Sequence, residues 1–313
     1  MDWKKLCNEI IKHDVIAVFR HENPDCDAVG SQFGLVNWLR ENFPDKRICA
    51  VGNDKCYQAE WPSSDSVDDA TVKRSLAIIL DTANTPRVDD QRFLTAEETI
   101  KIDHHPEVDK FGDQMYVNVK AAATCEILAD FFRSCSQYKM SEKTADFLYR
   151  GLLTDTLNYS TSNTTAETLQ AGAYLAGFGI DIPAIGRELF DKTEAEFRFS
   201  GYIRTHVKKA GEHLAYCTVS EQMMNEYAMT PSRTRSFVEE LGHVNIYQVW
   251  CIFTEKHMDG KLLYDGSLRS KTSSINAIAE KYNGGGHKNA CGVKNLTEND
   301  LIDILKLLQT AAE

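Results

Sequence analysis

The strongest constraint on the fold is a repeated alternation in the first hundred residues, where short apolar runs separate amphipathic stretches. Residues 15–19, 48–51, 76–80 and 100–102 are brief and apolar enough to be strands. Between the first two, residues 28–42 place Phe33, Val36, Trp38 and Leu39 at roughly helical spacing and stop before Pro44. Strand, crossover helix and strand in series build a parallel sheet with helices packed on it. The expected class is therefore α/β, with an N-terminal, mainly parallel sheet flanked by helices.

Further along, helical patterns dominate residues 122–190. A charged stretch at 191–198 has no apolar period of its own and reads as an exposed connecting helix or linker. Beyond it, runs at 214–219, 246–254 and 262–268 are interleaved with helical segments, and a helix at 298–310 closes the chain. These features predict a catalytic domain at 1–190, a linker at 191–210 and a smaller α/β domain at 211–313. A length of 313 residues agrees with two cores rather than one.

Composition narrows the setting. With 42% hydrophobic and 26% charged residues, the chain is ordinary globular protein. It has no apolar run near the ~20 residues that span a bilayer, and Met1-Asp2-Trp3-Lys4-Lys5 opens without a signal-peptide apolar region, so a cytoplasmic protein with no membrane partner is expected. Nine cysteines without a C-x-x-C pair predict inert thiols rather than a disulfide framework or structural zinc. The net charge of -11 falls entirely within residues 1–200, because residues 201–313 balance to zero. Such a chain is poorly suited to gripping long duplex nucleic acid, and its acidic part is where a cation site belongs.

Three of the apolar runs deliver the same chemistry. The first leads into His21-Glu22-Asn23-Pro24-Asp25-Cys26-Asp27-Ala28-Val29-Gly30-Ser31, the third into Asp81, and the fourth into Asp103-His104-His105. In an extended segment His21, Asp25 and Asp27 share a face, and an imidazole with two carboxylates suits a hard metal ion. The competing reading makes Asp27 a helix N-cap and His21 a surface residue. It loses ground because ligands of open α/β sheets bind outside the carboxyl ends of the strands, where all three segments end. Asp155, at the end of a helical pattern, becomes a fourth candidate. In the C-terminal part, Arg269-Ser270 and Asn283-Gly284-Gly285-Gly286-His287 combine a forked anion donor with backbone that can approach a phosphate.

In order and spacing, the H-x-N-P-D-x-D-A-x-G-S segment, Asp81, Asp103-His104-His105 and Asp155 resemble the four motifs of the DHH phosphoesterase superfamily. The C-terminal segments resemble its DHH-associated domain. With Asp81-Thr82-Ala83-Asn84 and nearby Arg87, the whole chain looks most like the branch of bifunctional oligoribonucleases and pAp phosphatases known as nanoRNase A. The resemblance implies that His21, Asp25 and Asp81 hold one divalent ion and that Asp27, Asp81, His104 and Asp155 hold a second, with Asp81 bridging. It assigns His105 to the substrate phosphate and Asp103 to the support of the histidines. Arg87, Arg269, Ser270, Gly284, Gly285, Gly286 and His287 become substrate contacts.

The implied activity is hydrolysis of short single-stranded RNA to mononucleotides and of 3′-phosphoadenosine 5′-phosphate (pAp) to AMP, with manganese as the implied metal and a homodimer left open. A manganese inorganic pyrophosphatase or exopolyphosphatase is the nearest alternative, since those relatives share the N-terminal motifs. A nucleotide-sensing or RNA-binding module with structural metals is the non-enzymatic one.

Overall fold

Val15–Phe19 (β1) and Leu76–Leu80 (β3) are buried at every position, as continuous apolar runs must be when a sheet is covered on both faces. They form the centre of a five-stranded, all-parallel sheet with Arg47–Ala50 (β2), Glu98–Asp103 (β4) and Gln114–Val117 (β5), in the order β2-β1-β3-β4-β5. The structure is a computed structural model that describes residues 1–107 and 109–313, and its contacts divide the chain into two units, Met1–Asp191 and Lys192–Glu313. The four expected strands of the first unit are present; the second is shifted by one residue and the fourth extends two residues earlier and one later. β5 was not expected. Its residues are mostly half-buried, so it lacks the apolar run that marks the others.

Among the described residues, seven α-helices complete this unit: Trp3–Lys12 (α1), Cys26–Asn42 (α2), Asp69–Lys73 (α3), Thr124–Ser134 (α4), Glu142–Asp155 (α5), Ala166–Ala176 (α6) and Ile182–Phe190 (α7). One face of the sheet packs with Leu6, Trp38, Phe131 and Leu148, where the Trp38 and Phe132 rings stack at 4.7 Å. The other face packs with Val72, Phe93 and Phe111. From β1 the chain steps outward to β2, then returns past β1 to lay down β3 on its other side. The resulting reversal between β1 and β3 is the place where open sheets of this order bind ligands.

The second unit begins inside the charged stretch. Thr193 and Glu196 form a reciprocal capping box that starts Glu194–Thr205 (α8), whose Phe199 and Ile203 are buried with Ala215 and Ile252. Lys208–Ala210 (β6), Leu214–Val219 (β7), Val249–Met258 (β8), Lys261–Ser270 (β9), Gly285–His287 (β10) and Ala290–Leu296 (β11) form a mixed sheet in the order β10-β11-β9-β8-β7-β6. Only β7 and β8 pair in parallel there. Glu221–Glu226 (α9), Pro231–Ser236 (α10) and Glu239–Gly242 (α11) lie between β7 and β8, and Asn276–Glu280 (α12) precedes β10. The closing helix, Glu298–Ala312 (α13), buries Leu301, Ile304 and Leu308 against Leu214, Val249 and Leu268.

Glu240 ties α8 to α11. Its buried carboxylate accepts from Ser200 Oγ at 3.0 Å, from Arg204 at 2.8 and 2.6 Å and from the Lys192 ammonium. Burial raises its pKa, but the Lys192, Arg204 and Ser200 contacts outweigh that and hold it below the ordinary glutamate value. A depressed folded-state value gives stability that is present above the ordinary glutamate range and disappears as pH falls through the folded value. Glu240→Gln should therefore cost about 1.5–3 kcal/mol at neutral pH and almost nothing in acid. Hydrogen exchange of α8 at both pH values checks this, and an equal deficit in acid would contradict it.

Candidate metal centre

Three strand ends and two helices bring the acidic and imidazole groups together. After β1, His21 forms an isolated bridge to Val88, and the chain turns through Asn23 at φ +49° into α2. The residue that caps α2 is Asp25, which accepts from the amides of Asp27 and Ala28 at 3.1 and 3.0 Å. Asp27 is therefore not a cap. It lies one residue into the helix, fully buried, and its two oxygens accept from the Thr124 and Cys125 amides at 2.7 and 2.9 Å, at the start of α4. β3 runs into Asp81 at φ +52°, a left-handed conformation that aspartate tolerates better than most residues. Asp155 is the last residue of α5. At Gly151 on that helix, an added Cβ would lie 2.5 Å from Cys125 Sγ and 2.9 Å from Asp27 Cα, so its absence lets α5 approach closely.

The two histidines are oriented in the same way. His21 Nδ1 lies 2.7 Å from the Glu22 carbonyl, which places its proton there and turns Nε2 toward Asp81 at 3.5 Å and Asp25 at 3.8 Å. His104 Nδ1 faces the Ala121 carbonyl at 3.4 Å, and its Nε2 lies 3.4 Å from both Asp81 and Asp155 and 4.0 Å from Asp27. A backbone carbonyl on one ring nitrogen and carboxylates around the other is the usual environment of a metal-binding histidine. Ligand atoms about 2.1 Å from a shared ion stand roughly 3.0–3.4 Å apart, close to these spacings. Ligand atoms of His21, Asp25 and Asp81 all lie within 4.8 Å of one another, as do those of Asp27, His104 and Asp155, and of Asp81, His104 and His105.

The electrostatics of these groups fit two divalent cations. Burial pushes Asp27 up to about 7, helped by the charge of Asp81, while burial and the charges of Asp27 and Asp25 raise Asp155 well above the carboxylate range. Burial disfavours charge on the imidazoles, but the contacts of His21 with Asp25 and Asp81 carry it up to about 11, and Asp81 raises His104 in the same way. Asp81 is driven far down, because its contacts with His104 and His21 overcome its burial. The cluster thus retains protons where it lacks positive charge. Four carboxylates, those of Asp25, Asp27, Asp81 and Asp155, match the charge of two divalent ions with the histidines neutral.

Asp103 is fully buried, and its Oδ1 accepts from His105 Nδ1 at 2.8 Å and from the His105 amide at 3.1 Å. Burial favours its protonated form, but His105 outweighs this and keeps Asp103 below the ordinary aspartate value. Arg87 is exposed at the end of a short 3-10 turn, Thr85–Arg87, with one guanidinium nitrogen 3.4 Å from His21 Nδ1. In the second unit Arg269 pairs with Glu239 at 2.9 Å, and Ser270 donates to the Ser273 carbonyl at 2.6 Å. Gly285, Gly286 and His287 form strand β10 rather than a turn, paired with β11, whose Ala290 is also opposite Arg269 on β9. A Cβ on Gly284 or Gly286 would lie 2.1 Å from the Gly292 carbonyl or 2.4 Å from that of Ala290, so packing alone requires these two glycines; Gly285 is open.

Two residues of this environment are not apparent from the sequence. Thr124 donates its hydroxyl to Asp81 Oδ1 at 3.1 Å while its amide holds Asp27. Lys101, fully buried on β4, lies 3.2 Å from Asp103 Oδ2 and donates to the Ala83 carbonyl at 3.1 Å. Thr124 at the start of a helical pattern reads as an ordinary helix-start residue. A lysine within an apolar run was the one available signal for Lys101.

An open parallel sheet that gathers imidazoles and carboxylates at its reversal point, followed by a mixed-sheet unit, defines a two-unit α/β protein whose strand-end cluster could hold metal ions. The chain belongs to the DHH family: residues 15–152 match the DHH family N-terminal domain, and residues 211–313 match the DHHA1 domain. It is 34% identical over 300 residues to a Streptococcus mutans protein named probable bifunctional oligoribonuclease and PAP phosphatase NrnA, covering 95% of this chain and 96% of the relative. A Bacillus subtilis protein named bifunctional oligoribonuclease and PAP phosphatase NrnA is 32% identical, covering 98% and 97%. The crystal structure of an exopolyphosphatase-related protein from Bacteroides fragilis has the same fold, with a TM-score of 0.86 at 22% identity over 98% of this chain and 96% of that one. Among the described residues, no helix is long and apolar enough to cross a membrane.

Proposed function

We propose that this chain hydrolyses short single-stranded RNA to mononucleotides and removes the 3′-phosphate of pAp to leave AMP, using two divalent metal ions. The observation that carries this reading is the pair of donor triads at the sheet reversal, in a chain 32–34% identical over nearly its whole length to relatives named for those two activities. Divalent ions held there supply a water of lowered pKa and neutralise phosphoryl oxygens. His21, Asp25 and Asp81 hold one ion, and Asp27, Asp81, His104 and Asp155 hold the other. Mixed imidazole and carboxylate donors suit manganese better than magnesium.

His105, held through Nδ1 by Asp103, turns its ring to the phosphate, where it donates to a phosphoryl oxygen or protonates the departing oxygen. Arg87 is the proposed substrate contact of the first unit, and Arg269, Ser270, Gly284, Gly285, Gly286 and His287 are those of the second. The nine free cysteines agree with a reducing cytoplasm as the setting.

The test compares pAp, single-stranded RNAs from dinucleotide to tens of nucleotides, and pyrophosphate, all with manganese. Turnover of pAp and the shortest RNAs is expected, declining as RNA lengthens, because a chain of net charge -11 gains little from a long polyanion. Arg269→Ala should raise KM for the short substrates with kcat largely kept, as loss of uniform binding does. Faster hydrolysis of pyrophosphate than of pAp would overturn the reading in favour of a pyrophosphatase.

A further inference from the structure

We infer that Lys101 is a positioning residue for phosphate-ester hydrolysis, acting through Asp103 on the ring of His105. The inference rests on the function proposed above and assigns a role to a residue outside the metal cage.

The starting point is the cost of the residue. Lys101 has no solvent exposure and sits in β4 between Ile100 and Ile102, both fully buried, where an apolar side chain would satisfy the core. A buried ammonium is expensive unless it is paired and hydrogen-bonded. Here its nitrogen lies 4.5 Å from the centre of the Phe111 ring, donates to the Ala83 carbonyl at 3.1 Å and stands 3.2 Å from Asp103 Oδ2. Both oxygen partners belong to segments that carry site residues. Ala83 follows Asp81 by two positions, and Asp103 precedes His104 and His105.

Asp103 shows what the ammonium does. Its Oδ1 is taken up by the ring and amide of His105, while Oδ2 is buried without a hydrogen bond, so the nearby positive charge of Lys101 is what compensates it. With Lys101 in place, the carboxylate is fixed at both ends and the His105 ring is fixed with it. Without Lys101, Oδ2 is an uncompensated buried charge, and the carboxylate turns away from the ring to find another partner. An ammonium that served only the core would not need to face the carboxylate that holds His105 Nδ1 at 2.8 Å.

The step that depends on this geometry is departure of the leaving group. Water adds to phosphorus, the bond from phosphorus to the ester oxygen breaks, and that oxygen takes a proton. A nitrophenolate leaves without help, whereas a ribose oxygen needs the proton delivered by a well-aimed donor.

The experiment measures kcat and KM of wild type, Lys101→Met and Lys101→Gln with saturating manganese. One substrate is an RNA dinucleotide and the other is the p-nitrophenyl diester of a mononucleotide, and metal content and thermal unfolding are measured alongside. For Lys101→Met, kcat on the dinucleotide should fall about 10–100-fold with KM and bound manganese little changed, and the p-nitrophenyl ester should lose far less. Lys101→Gln, which replaces the charge with a neutral N–H group that can face Asp103, should recover a small part of the loss and supplies the same comparison if the methionine variant does not fold. Equal losses on the two leaving groups, loss of manganese, or wild-type behaviour of both variants would overturn the role of Lys101. A wild type that turns over neither substrate would instead overturn the functional reading, and the role of Lys101 with it.

Discussion

Asp81→Asn is expected to lower kcat by at least about a thousandfold, roughly 4 kcal/mol of transition-state stabilisation, and to leave the protein short of both metal ions. Asp81 faces the Nε2 atoms of His21 and His104 at 3.5 and 3.4 Å, so it is the carboxylate common to both proposed shells. Asparagine is the useful replacement because Asp81 sits at φ +52°, where asparagine is tolerated and alanine would add backbone strain to the lost ligand. Asp155→Asn is the comparison. Asp155 meets only the His104 side of the cluster, so its loss should empty one shell and leave a larger residual rate. Metal analysis and kcat at saturating manganese on both variants decide the matter. Equal residual rates and equal metal content would remove Asp81 from the bridging position.

His105→Gln should lower kcat on pAp and dinucleotides by about a hundredfold to ten-thousandfold, the range typical of a lost proton donor, with metal content intact. The second half of that expectation is the sharper one. His105 Nδ1 lies 3.5 Å from Asp81 as well as 2.8 Å from Asp103, and His105 shares a possible donor group with Asp81 and His104. If His105 were a ligand, the variant would lose manganese in proportion to its activity. Full metal occupancy with lost turnover places it on the phosphate.

Legibility of the fold followed the burial of each element. β1 and β3 could be delimited to the residue because a strand covered on both faces is one unbroken apolar run, whereas β5 and β10 have half-exposed residues or glycines and carry no such mark. α1 escaped notice although Asp2 caps it and Leu6 and Ile10 stand one turn apart, since two buried residues make a narrow stripe. In the site, the acidic and imidazole groups were visible as residues at strand ends. The hold on Asp27 was not, because it comes from the amides of Thr124 and Cys125, and an amide has no letter in a sequence. The competing cap reading fell on Asp27, whereas the cap of α2 is Asp25, a choice that only the backbone geometry makes.

The division of the chain at Asp191 has a consequence for its biosynthesis. Every proposed ligand, from His21 to Asp155, lies in the first unit, while the second still has to be translated when that unit is complete. At about 5–20 residues per second, the remaining 122 residues, Lys192–Glu313, occupy the ribosome for roughly 6–24 seconds. Domains fold as units from the N-terminus, which allows the candidate ligands to come together within that interval. Ions bound to the folded first unit would stabilise it by mass action, because an unfolded segment offers them no comparable site. The DHHA1 part, with Arg269 and its glycines, is thus added to a nascent chain whose candidate metal ligands have all been synthesised.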